Sequence, residues 1–115
     1  RDVMCNCDRR NVYIEIAIEN GCRILKYFPA ETLGGLKHLK HMAMPYKHLG
    51  ILFIPLGGIN QHNMHHYLGD SMIGAIGGSW IASRNLIQKE DWGQIKENAE
   101  KAILIANGIN PRDNN

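Results

Sequence analysis

The sequence predicts an α/β protein with parallel strands, assembled from repeated βα units. Three observations carry that expectation. Apolar runs of strand length begin near residues 23, 51 and 72. Each is followed by a segment with helical spacing, and two of them end directly in a glycine pair. A complete βα barrel takes about 250 residues for eight units, or about 30 per unit, so 115 residues supply roughly four. The pattern is half a barrel or a small open α/β sheet. The expected units span residues 12–109, after an irregular stretch or remnant strand at 1–11 and before a frayed tail at 110–115.

Residues 12–19 (VYIEIAIE) read two ways. Ile14, Ile16 and Ile18 alternate with Glu15, Ala17 and Glu19 as in a strand, yet Asn11 and Gly21 are placed to open and close a helix. Cys22–Phe28 is a short strand stopped by Pro29, and residues 30–35 read as a turn. Leu36, Leu39, Met42 and Ala43 have helical spacing, and Pro45 ends that helix. Gly50–Leu56 is a near-continuous apolar run, as suits a strand covered on both faces. Asn60 is placed to cap a short helix carrying Met64, Tyr67 and Leu68, closed near Gly69. Met72–Ile76 reads as a further strand. Asp91 and Gln94 form a capping box for a helix reaching about Asn107, with Trp92, Ile95, Ala99, Ala102, Ile103 and Ala106 on its apolar face and Gly108 and Pro111 closing it.

Composition excludes several classes. A net charge of +2 is too weak to argue for a nucleic-acid or membrane-surface partner. No apolar run approaches the ~20 residues that span a bilayer. Three cysteines, Cys5, Cys7 and Cys22, make an odd number without a framework, which argues against a disulfide-stapled secreted domain. The chain opens on Arg1 rather than Met, which suggests a processed or truncated product.

Chemistry gathers on the strand Arg23-Ile24-Leu25-Lys26-Tyr27-Phe28-Pro29. Alternation places Ile24, Lys26 and Phe28 on one face and Leu25 and Tyr27 on the other. An amine in a low-dielectric site is nucleophilic toward carbonyls when neutral. Taken alone, Lys26 is more simply a strand-end residue whose stem packs while its head reaches solvent. The glycine pairs shift that reading. Gly57-Gly58 and Gly77-Gly78 follow two successive strands, where phosphate sites of βα barrels are built from bare backbone N–H groups. The histidines invite a metal: His62 and His66 are i, i+4, and His38 and His41 are i, i+3. A third ligand and a catalytic glutamate are missing from the pattern, so these read as helix-face residues, and neither they nor Cys5-Asn6-Cys7 is taken as a metal site.

ILKYFPAETLGG, then FIPLGGIN, then IGGSW together resemble the 2-keto-3-deoxy-6-phosphogluconate (KDPG) aldolase family, which includes 4-hydroxy-2-oxoglutarate aldolases. The resemblance runs from about Ile14 to Ile105 and corresponds to the C-terminal half of the family domain. It implies a (β/α)8 barrel, a class I aldolase without cofactor, a phosphorylated keto-acid substrate, a cytoplasmic location and a homotrimer when full length. It implies that Lys26 forms the Schiff base with pyruvate's keto carbon and that Phe28 packs on the substrate. Gly57, Gly58, Gly77, Gly78 and Ser79 then hold the phosphate end. It also makes residues 14–20 helical despite their alternation.

Two departures accompany the resemblance. Leu56 stands at a substrate-side position where the family usually has threonine. The early strands that carry the family's general-base glutamate and carboxylate-binding arginine have no counterpart, and Glu15, Glu19 and Glu31 do not sit at the base position. The expectation is a chain with an incomplete site, weak or inactive alone and prone to self-association through open sheet edges. The rivals are an aldolase for 4-hydroxy-2-oxoglutarate and a non-catalytic module that binds a phosphate ligand or serves assembly.

Overall fold

The computed structural model describes residues 4–7 and 11–108, with backbone alone for 4–7, 11 and 12. Its centre is a three-stranded parallel sheet in the order β1 (Met4–Cys7), β2 (Ile24–Tyr27), β3 (Leu52–Pro55). The first stretch is therefore a strand over residues 4–7, and β2 and β3 lie within the two apolar runs read from the sequence. The expected strand at 72–76 is reduced to a single parallel bridge between Phe53 and Ile73. Main-chain bonds still run it alongside β3, from Phe53 N–H to Met72 O (2.7 Å), Gly74 N–H to Phe53 O (3.0 Å) and Gly77 N–H to Pro55 O (3.1 Å).

Crossover helices cover one sheet face. Helix α1 (Asn11–Glu19) buries Ile14 and Ala17, half-buries Ile18 and leaves Ile16 47% exposed. That i, i+3, i+4 set is a helix stripe, so the alternation of isoleucine and glutamate is overridden by packing. The expected turn at 30–35 contains a short helix, α2 (Ala30–Leu33), before Gly34 turns the chain into α3 (Gly35–Ala43). Pro45 ends α3, as expected, by starting a 3-10 helix over Met44–Leu49. Leu39, Met42 and Ala43 of α3 join Ile14, Leu25, Tyr27, Phe53, Met64 and Tyr67 in the core.

Helix α4 (Met64–Leu68) starts later than the sequence suggested, because the Asn60 side chain turns back on its own loop and accepts from His62 N–H at 2.8 Å. Helix α5 (Arg84–Gln88), capped by Ser83 through Leu86 N–H (3.3 Å), was not expected. Helix α6 (Trp92–Asn107) was. Asp91 accepts from Gln94 N–H at 3.1 Å, while the Gln94 side chain bonds Asn98 rather than completing the box. Ala102 and Ile105 pack on the core, whereas Trp92, Ile103 and Leu104 stay exposed. The tail beyond residue 108, with Pro111, lies outside the described residues.

Cys22, just before β2, is disulfide-bonded. Proximity of thiols is set by how segments pair in the fold, which residue spacing alone does not encode. No helix among the described residues is long and apolar enough to cross a membrane.

Candidate active site

Lys26 stands on the middle strand of the sheet, in register with Asn6 on β1 and Ile54 on β3. Leu25 and Tyr27 are fully buried toward the helices, while Ile24 and Lys26 are half-buried on the opposite face. The alternation read from the sequence therefore holds, and the lysine lies on the face that the helices leave open. Its Nζ is 5.2 Å from the ring centroid of Phe28, within cation–π range. Phe28 is itself 53% exposed. Among the described residues no carboxylate forms an ion pair with Lys26. The Phe28–Pro29 peptide is cis.

The turn after β2 is laced to the loop after β3. Leu56 N–H donates to Tyr27 O (2.9 Å), Ala30 N–H to Leu56 O (2.7 Å), and Glu31 N–H to Gly57 O (3.1 Å). The Asn63 side-chain amide donates to Gly58 O at 2.9 Å. Three successive carbonyls, of Leu56, Gly57 and Gly58, are thus occupied. In a trans peptide the N–H points opposite to the C=O, so the N–H groups of Gly57 and Gly58 face away from the Pro29–Glu31 turn. None of the hydrogen bonds within the described residues uses them. Gly57 and Gly58 have φ of +100° and +76°. Successive glycines of this kind form a concavity of backbone donors suited to an anion. A Cβ on Gly57 would lie 2.9 Å from Pro29 Cα, and one on Gly58 2.8 Å from Glu31 Cβ.

The second glycine pair differs. Neither Gly77 nor Gly78 has positive φ. A Cβ on Gly77 would lie 2.5 Å from Leu56 Cδ2, and one on Gly78 2.8 Å from Trp80 Cδ1. These glycines make room for neighbouring side chains. Leu56 wedges between the loops and holds the 77–78 stretch against the end of β3, with Ser79 exposed beyond it. The candidate site residues therefore gather at the carboxyl ends of β2, β3 and the 72–77 stretch.

Three residues went unremarked as site-builders in the sequence: Glu31, Asn63 and Tyr67. The buried Tyr67 hydroxyl donates to Glu31 Oε1 at 2.7 Å, and Asn63 Nδ2 approaches the same oxygen at 3.4 Å. Burial pushes the Tyr67 phenol well above its ordinary range, and the adjoining Glu31 carboxylate adds to the shift. Tyr67 therefore stays a donor. A polar residue two and five places after the second glycine, in GGINQHN, is the signal that would have found Asn60 and Asn63. The histidine pattern does not survive: His62 lies before α4 rather than on it. The His65 and His66 rings meet at a tilt of 38° with centroids 3.9 Å apart, and no group of three metal-ligating side chains occurs among the described residues.

The family model for KDPG and KHG aldolase matches residues 9–98. The chain belongs to the KDPG and KHG aldolase family. A 2-dehydro-3-deoxy-phosphogluconate aldolase of Haemophilus influenzae is 46% identical over 92 residues, which are 80% of this chain and 42% of that protein. Among solved structures, a KDPG aldolase of Legionella pneumophila, with pyruvate captured as a covalent carbinolamine, superposes with TM-score 0.73 at 29% identity. It covers 80% of this chain and 43% of that one. A 2-keto-3-deoxy-6-phosphogluconate aldolase of Zymomonas mobilis with 3-phosphoglycerate gives TM-score 0.63 at 32% identity over 69% of this chain and 36% of that one. This member of the aldolase family thus spans less than half the length of the relatives it matches.

Proposed function

We propose that this chain carries the Schiff-base lysine and the phosphate-holding loop of a class I aldolase, as the last three to four βα units of a (β/α)8 barrel. The whole protein would cleave 2-keto-3-deoxy-6-phosphogluconate to pyruvate and glyceraldehyde 3-phosphate. The observation that carries this reading is the placement of Lys26 on the uncovered face of β2, under Phe28, at the strand ends where the Gly57–Gly58 donors stand free. The family membership and the covalent pyruvate adduct of the Legionella relative support it.

The chemistry follows from the residues. The neutral Lys26 amine adds to the keto carbon, and loss of water gives an imine. Once protonated, the imine draws electrons from the C3–C4 bond as the C4 hydroxyl proton leaves, giving the enamine of pyruvate and an aldehyde. Phe28 offers an apolar wall to the pyruvate carbons. Gly57 and Gly58, with Gly77, Gly78 and Ser79 beside them, receive the phosphate, and Leu56 shapes the wall between the loops. Among the described carboxylates, Glu15 accepts from the Tyr46 hydroxyl and Glu31 from the Tyr67 hydroxyl. By the family resemblance the proton acceptor comes from another segment, and the 115-residue chain alone is a slow catalyst. By the same family resemblance we place the whole protein in the cytoplasm as a homotrimer.

Borohydride reduction in the presence of pyruvate tests the reading. The expected result is a reduced pyruvate adduct mapped to Lys26 and absent from Lys26→Ala. An unmodified Lys26 in the folded chain would leave the non-catalytic binding module. The family name also covers KHG, so turnover of unphosphorylated 4-hydroxy-2-oxoglutarate in preference to the phosphorylated substrate would move the assignment to that activity.

A further inference from the structure

The loop after β3 offers free donors only while its carbonyls are turned the other way; main-chain donors hold those of Leu56 and Gly57, and one side chain holds that of Gly58. Asn63 is positioned as the N-cap of α4 yet makes no capping bond. Its side-chain amide is turned instead to the glycine loop and to Glu31. Its Nδ2 donates to Gly58 O (2.9 Å) and approaches Glu31 Oε1 (3.4 Å), while its Oδ1 accepts from Asn60 N–H (2.8 Å). The orientation of the amide is fixed by these neighbours: a carbonyl and a carboxylate on one side demand the NH2 group, and a backbone N–H on the other demands the oxygen. Glu31 is held in turn by the Tyr67 hydroxyl (2.7 Å), whose own position is set by burial in the core. A continuous set of hydrogen bonds thus runs from the core, through Tyr67, Glu31 and Asn63, to the Gly58 peptide.

We propose that Asn63 is a positioning residue that sets the orientation of the Gly58–Ile59 peptide, turning its N–H toward a phosphate group held by the glycine loop, with the Glu31 carboxylate fixing the Asn63 amide. The inference rests on the phosphate reading of the glycine loop given above. It separates from a helix-capping role by the choice of substitution. Aspartate is as good an N-cap as asparagine and favours the positive end of a helix. In the loop, however, Asn63→Asp replaces the one donor with an oxygen facing both Gly58 O and the Glu31 carboxylate.

Inorganic phosphate titrated into the 15N-labelled chain, with the backbone amides followed by NMR, is the test. In the unsubstituted chain the Gly57, Gly58 and Ile59 amides are expected to shift saturably. In Asn63→Asp the phosphate affinity is expected to fall at least fivefold and amide exchange at Ile59 to speed up, with the thermal midpoint within a few degrees of the parent. Asn63→Ser, too short to reach Gly58, is expected to lose affinity equally and decides the matter if the aspartate variant does not fold. Equal phosphate affinity in parent and folded variants overturns the role of Asn63 while leaving the phosphate loop standing. Amides of the parent that do not respond to phosphate overturn the phosphate reading and this inference with it.

Discussion

Individual glycines here answer to different physical demands, and the difference can be measured. Gly21 and Gly57 both have positive φ, +83° and +100°, but a Cβ at Gly21 meets nothing within 4 Å while one at Gly57 lies 2.9 Å from Pro29 Cα. Gly21→Ala is expected to lower the unfolding free energy by about 1–2 kcal/mol, the penalty for a left-handed L-residue. Gly57→Ala should lose more, because the methyl must also displace the Pro29–Glu31 turn and its bond from Glu31 N–H. Urea unfolding of both variants checks the order, and equal losses would show that the turn yields freely. Part of this residue-scale picture was legible in advance: strand period put Lys26 on the face opposite Leu25 and Tyr27, and the Gly57–Gly58 pair marked the turn after β3. The roles of Asn63, Glu31 and Tyr67 were not, because residues 31 and 67 are joined only by the crossover and no local period records it.

At the scale of elements, packing decides where local pattern is ambiguous. In α1 the isoleucines alternate like a strand, but burial picks Ile14, Ala17 and Ile18 and leaves Ile16 exposed. Ile14→Ala is therefore expected to cost about 3 kcal/mol, as for a fully buried aliphatic, and Ile16→Ala within about 0.5 kcal/mol, as for a surface site. Similar losses at the two positions in chemical denaturation would return the segment to a strand. The α6 cap at Asp91 and the positions of β2 and β3, though not their shorter limits, were readable because caps, prolines and apolar runs are local signals. The last strand was over-read: Met72–Ile76 has the right residues and bonds β3 through Met72 O, Gly74 N–H and Gly77 N–H, but only Ile73 forms a bridge. Helix α5 escaped notice because five residues are too few to show a helical period.

The molecule as a whole is finished on one side only. Its helices bury the Leu25, Tyr27 and Phe53 face of the sheet, and the face with Ile24, Lys26 and Ile54 is half-buried, with Leu52 38% exposed. Trp92, Ile103 and Leu104 add a second exposed apolar stretch on α6. Such surface drives association in water. Sedimentation velocity is expected to show the average mass of the chain rising with concentration, and Leu52→Lys should reduce the rise; a monomer at every concentration would contradict this. The alternation of strand and helix segments indicated parallel βα units. Which face stayed open became clear only when the strands were set in register.

The hydrogen-bonding of the loop after β3 has one more implication. Its carbonyls are spent on Ala30, Glu31 and Asn63, so what it shows a visitor is hydrogen without oxygen. A group that must both give and take hydrogen bonds, such as an amide or a neutral alcohol, finds half its needs unmet there. A fully ionised phosphate oxygen, which only takes, is satisfied. On the phosphate reading proposed above, the loop sorts visitors by polarity before shape is consulted, and it does so with main chain that no side-chain substitution at the glycines themselves can recharge.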